Sequence, residues 1–94
     1  MMNLMSKISA AAIVAVVLAP SLASASADCP AAPKESWMTE DAMKAKAVEL
    51  GFPKIKTFKV SGNCYEIYGW NAEGKKAEVY FNPVTGEIVK SEIE

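Results

Sequence analysis

The stretch from residue 62 to 89, GNCYEIYGWNAEGKKAEVYFNPVTGEIV, leaves few folds open to the chain. It predicts successive strands separated by turns, with another strand over 54–61 entering through Ser61-Gly62-Asn63-Cys64. A two-residue turn at Gly62-Asn63 sets Ser61 opposite Cys64, Val60 opposite Tyr65 and Phe58 opposite Ile67. The same register puts Lys59 opposite Glu66, a favourable cross-strand charge pair. The next turn, Asn71-Ala72-Glu73-Gly74-Lys75, sets Trp70 opposite Lys76, Ile67 opposite Val79 and Tyr65 opposite Phe81. Both registers place Phe58, Val60, Tyr65, Ile67, Val79 and Phe81 on one face. A slip of one residue in either hairpin would turn its set over, so the agreement is informative. Asn82-Pro83-Val84-Thr85-Gly86 has the chemistry of a type I turn and leads into a short fourth strand over 87–90, which contributes Ile88. Residues 91–94 are expected to fray.

The opposite face collects Cys64, Glu66, Tyr68, Trp70, Glu78, Tyr80 and Val89, with Ile55 near Trp70. Solvated sheet faces alternate to polar residues, and three aromatics here break that habit. Two explanations suit it. Either the N-terminal arm, with Trp37, lies over the rings and completes the fold, or Tyr68, Trp70 and Tyr80 form a patch for a partner. Glu66 and Glu78 lie on adjacent strands two steps out of register and are expected at a solvated rim rather than as a catalytic carboxylate pair.

One helix precedes the sheet. Thr39 is an N-cap candidate, followed by Glu40 and Asp41, whose charges suit the positive end of a helix. Met38 and Met43 occupy the positions of a hydrophobic staple. Met43, Ala47 and Leu50 recur at helical spacing, Gly51 supplies the stop, and Pro53 prevents continuation. So short a helix is unstable alone and must lie on the inner face of the sheet. The fold class is α+β: one α-helix packed on a four-stranded antiparallel β-meander.

The N-terminus reads differently. Lys7 precedes an apolar run from Ile8 to Leu18, Pro20 breaks it, and Ala25-Ser26-Ala27 fits a small-x-small cleavage site. Residues 1–27 are therefore expected to be a secretory signal peptide, too short in its apolar run to span a membrane. Residues 28–38, which begin DCPAAPKE, form an extended arm, and 39–94 the folded domain. Export to the periplasm or the medium favours pairing Cys29 with Cys64, and so small a core needs such a staple. A thiol pair for redox or metal work lacks C-x-x-C spacing and any histidine.

Gly51-Phe52 after the helix, the Tyr65-Glu66-Ile67-Tyr68 strand, Gly74-Lys75, and Glu78-Val79-Tyr80-Phe81-Asn82-Pro83-Val84-Thr85-Gly86-Glu87-Ile88 resemble the PepSY domain family. The resemblance runs from about Trp37 to Val89 and is closest to the small exported members. It implies a helix on an antiparallel sheet and a role in inhibiting or modulating peptidases. Such domains also occur in propeptides of thermolysin-type metalloproteases. The family usually has Asp where this chain has Asn82. Either side chain can bond the backbone of the turn, so the fold is unaffected, but a cation-binding use of the position would be.

The chain has no histidine, which excludes His-based catalysis and most zinc sites. Its 10 basic and 11 acidic residues give a net charge of −1, with no basic patch for nucleic acid. Asn82 to Glu87 lacks the acidic spacing of a calcium loop, and Gly74-Lys75-Lys76 is no phosphate loop. No cofactor is implied. The expectation is a non-catalytic binding domain with a protein partner, a peptidase by resemblance, that meets the membrane only through its leader. A structural accessory subunit of an envelope complex and a small-ligand or metal carrier are the alternatives.

Overall fold

The structure is a computed structural model that describes residues 27–94. The signal peptide expected over 1–27 lies outside the described residues, Ala27 excepted. The chain forms a single turn of 3-10 helix at Lys34–Ser36, helix α1 at Glu40–Glu49, and strands β1 (Lys54–Ser61), β2 (Cys64–Trp70), β3 (Lys76–Phe81) and β4 (Ile88–Ile93). The strands pair antiparallel in the order β1-β2-β3-β4. This is the meander expected.

The helix starts and stops for local reasons. Thr39 Oγ1 accepts a hydrogen bond from the Ala42 amide at 3.1 Å, satisfying one of the first-turn donors. At the other end Gly51 takes φ 109°, a conformation open to glycine at little cost. The Gly51 amide then bonds Val48 O at 3.1 Å and the Phe52 amide bonds Ala47 O at 3.0 Å, closing a Schellman motif. Phe52 and Ala47 meet in the core just where that motif places its apolar contact. The helix is tied to the turns of the sheet as well. Met38 N donates to Pro83 O at 2.8 Å, and Ala72 N donates to Gly51 O at 3.1 Å.

Met43, Ala47, Phe52, Tyr65, Ile67, Ala77, Val79 and Phe81 form the core, with Trp37, Met38, Ile55 and Phe58 packed against it. Burying each of the larger side chains contributes roughly 1.5–3 kcal/mol relative to exposure. A helix of ten residues reaches only about 15 Å and covers the two central strands. Val60 on β1 and Ile88 on β4, both expected in the core, lie on edge strands beyond its reach and are 49% and 39% exposed. Leu50 also stays out of the core, because it is the residue at which the helix ends.

The expected registers hold for β2 against β3 and for β1 from Ser61 back to Thr57. Below Thr57 a β-bulge intervenes: Thr57 pairs with Tyr68, but Ile55 pairs with Gly69 and Lys54 with Trp70. The extra residue turns Ile55 away from Trp70 and into the core, reversing its expected face. A second irregularity lies between Tyr80 and Phe81, opposite Val89. Beyond it β4 does not fray at Ser91. Ser91 pairs with Val79, Glu92 with Glu78 and Ile93 with Ala77.

Candidate functional site

The disulfide expected between Cys29 and Cys64 is present, with the two Cα atoms 5.4 Å apart. It seats the arm at one end of the outer sheet face. The bonded sulfurs have no proton to donate, and their neighbours are contacts: Cys29 Sγ lies 3.5 Å from Phe81 O, and Cys64 Sγ 3.6 Å from Ala27 O. From there the arm does not run across the outer rings. Trp37 packs on the helix side, its ring meeting Tyr65 edge-on at 5.2 Å and its Nε1 donating to Ala32 O at 3.0 Å. Tyr65 OH donates to Met38 O at 2.6 Å. The expectation that Trp37 covers the outer aromatics is thus corrected. An inward ring on β2 offers it a deeper apolar seat than the outer face does.

The outer face has two halves. Beside the disulfide it is closed: Cys64, Glu66 and Tyr80 are buried. Toward the other end of β2 it opens, and Tyr68 is 40% exposed while Trp70 is half-buried. A groove of about 460 Å³ runs over this open half, lined by Tyr68, Trp70 and Glu78, by Lys56 and Lys59 of β1, and by Glu92 near the opposite edge. Lysines lie over the exposed rings, Lys54 Nζ 5.9 Å from the Trp70 centroid and Lys59 Nζ 5.7 Å from that of Tyr68. Of the three aromatics singled out from the sequence, Tyr68 and Trp70 border the groove. Tyr80 is buried one step away.

Between the halves sits a carboxyl pair. Glu66, only 2% exposed, is no part of a solvated rim. Its strand partner Tyr80 and the neighbouring disulfide leave it little contact with water. Tyr68 OH and Tyr80 OH both donate to Glu78 Oε2, at 3.0 and 2.8 Å. Glu66 Oε1 has Lys59 Nζ at 3.8 Å, while Oε2 meets no donor. The two carboxyl groups stand at diagonal positions of adjacent strands on the same face and interact with each other. A proton on Glu66 shared with Glu78 would satisfy the orphan oxygen and remove the repulsion of adjacent charges.

The titration of the cluster follows this arrangement. Burial, and next the hydrogen bond with Glu78, hold the Glu66 carboxyl above its ordinary range. The bond from Glu66 holds Glu78 below its own, helped by the two tyrosine hydroxyls and Lys90. Because Tyr68 donates to a carboxylate, its hydroxyl is pushed up to about 12. Burial, then Glu78, raises that of Tyr80. The register alone places Glu66 and Glu78 as diagonal neighbours on a face rich in aromatics, but does not say that the crowding there excludes water from Glu66.

No curated protein and no solved structure matches the chain. The family described as Peptidase propeptide and YPEB domain matches residues 8–92, nearly the whole length. The helix on its antiparallel meander and the family match agree, and the chain belongs to the PepSY family.

Proposed function

We propose that this chain is an exported, non-catalytic binding domain that modulates a peptidase through the open half of its outer sheet face. The observation that carries the reading is the pairing of Tyr68 and Trp70 on an uncovered groove in a family of peptidase propeptides. Amphipathic rings at the rim of a concave surface are favourable contact residues for a polypeptide partner. Residues 1–27 act as the leader, 28–38 as the arm and 39–94 as the binding domain. A disulfide fastening the arm suits an oxidising compartment, the periplasm or the medium.

The test titrates the oxidised chain into a thermolysin-type metallopeptidase and into the exported peptidases of the producing cell, beside a Trp70→Ala variant. The wild type slows or accelerates at least one of them, and the variant, with an unchanged unfolding midpoint, does not. Equal effects from both proteins would move the contact away from the outer face. No effect on any peptidase would end the reading.

A further inference from the structure

Strand β4 is an edge whose residues complement their own reversed order. Val89-Lys90-Ser91-Glu92-Ile93 runs apolar, basic, polar, acidic, apolar about Ser91. We propose that β4 pairs antiparallel with β4 of a second copy about a two-fold axis at Ser91, joining two four-stranded sheets into one of eight strands. In that register Lys90 faces the second copy's Glu92 and Glu92 its Lys90, while Val89 and Ile93 stand opposite each other at both ends.

Three observations converge on this occupant. The first is the backbone. Glu94 N donates to Lys76 O at 2.9 Å, and antiparallel ladders alternate, so Lys90, Glu92 and Glu94 point their backbone groups at β3. Ser91 and Ile93 then present theirs to the open edge. The two-fold register pairs Ser91 with Ser91, and a shift of one residue would oppose its outward groups with the inward ones of Lys90 or Glu92.

The second is charge. Lys90 and Glu92 pair with Tyr80 and Glu78, so both stand on the outer face and meet their counterparts on the same side of the joined sheet. They already lie 3.5 Å apart within the chain, and pairing extends that contact into a two-by-two cluster of four charges with alternating signs. Shifting by two residues in either direction would instead set Lys90 against Lys90 or Glu92 against Glu92, which is unfavourable. Only the central register is attractive throughout.

The third is exposure. Val89 and Ile93 are 41% and 44% exposed, and the helix does not reach them. The other edge, β1, is blunted by the exposed Lys54, Lys56 and Lys59 and by its bulge, common devices against strand addition. On β4 the one lysine has an acidic counterpart at the symmetric position. A closed two-fold contact of this kind ends at two copies, because it uses the open edge of each.

Sedimentation velocity of the chain, expressed with its own N-terminal segment and purified oxidised, tests the proposal over a range of concentrations. The wild type shows a reversible monomer–dimer equilibrium. Lys90→Glu and Glu92→Lys each weaken it roughly tenfold or more, since two attractions become two repulsions. The Lys90→Glu/Glu92→Lys double variant regains the wild-type equilibrium, and an equimolar mixture of the two single variants forms a heterodimer. Circular dichroism melts confirm that each variant is folded, and the restoring double swap separates lost contact from lost fold. A wild type monomeric at every concentration, or a dimer indifferent to the charge reversals, would overturn the assignment.

Discussion

The backbone carbonyl of Lys54 occupies the space into which a side chain on Gly69 would have to point. The close approach is made by the bulge in β1, which carries Ile55 into the core and brings Lys54 opposite Trp70. Gly69→Ala is expected to destabilise the domain by about 1–3 kcal/mol, because the neighbour to be displaced is backbone and not a flexible side chain. Urea unfolding measures it. A variant as stable as the wild type would show that the bulge is not held this tightly.

Reduction of Cys29–Cys64 opens a loop spanning 35 residues. In the loop-entropy account this removes about 3.5–4 kcal/mol, comparable with the whole stability of many small domains. Unfolding curves with and without reductant, and of a Cys29→Ser/Cys64→Ser variant, should show the same large drop.

The carboxyl pair makes stability depend on pH in a particular direction. Glu66 is raised, so its contribution is complete below the ordinary carboxylate value and is lost as pH climbs through its elevated one. Glu78 is lowered, so its contribution is complete above the ordinary value and is lost as pH falls through its depressed one. The pair therefore stabilises most in the mildly acidic range and less on either side. Glu66→Gln keeps a neutral group of the same shape and abolishes the alkaline decline. Its urea midpoint relative to wild type should rise as pH climbs from the ordinary carboxylate value through the elevated one of Glu66. Parallel curves would mean that no proton is shared.

Tyr65→Phe removes the 2.6 Å bond to Met38 O while leaving the ring in place. The expected loss is about 1 kcal/mol, rising toward 3 kcal/mol if the Met38 carbonyl stays dry and unpaired. Because Met38 N is bonded to Pro83 O, amide exchange at Met38 should quicken in this variant before exchange in β2 or β3 does.

Much of this architecture was legible in the residues. Tight turns fix register, and register fixes faces, so the alternation of Tyr65, Ile67, Val79 and Phe81 and the sidedness of Cys64 could be derived. Thr39 and Gly51 marked the helix because capping is local chemistry. What escaped were consequences of reach and crowding. Nothing in Val60, Ile88 or Leu50 says that a helix this short will not cover them. The bulge that turns Ile55 is betrayed only by Gly69, a residue with many other possible meanings. Trp37 could have gone to either face, and only the assembled core decides. In the outer face, Tyr68 and Trp70 were identifiable as aromatics out of place, but the burial of Glu66 requires knowing how Tyr80 and the disulfide crowd it.

The bridge from Cys29 to Cys64 also sets how the molecule would bear force. Tension applied between its two ends passes from the arm through the sulfurs directly into β2, bypassing α1 and β1. Those elements are out of the load path. The segment between Cys29 and Cys64 cannot lengthen under pull until a reductant cuts the shortcut.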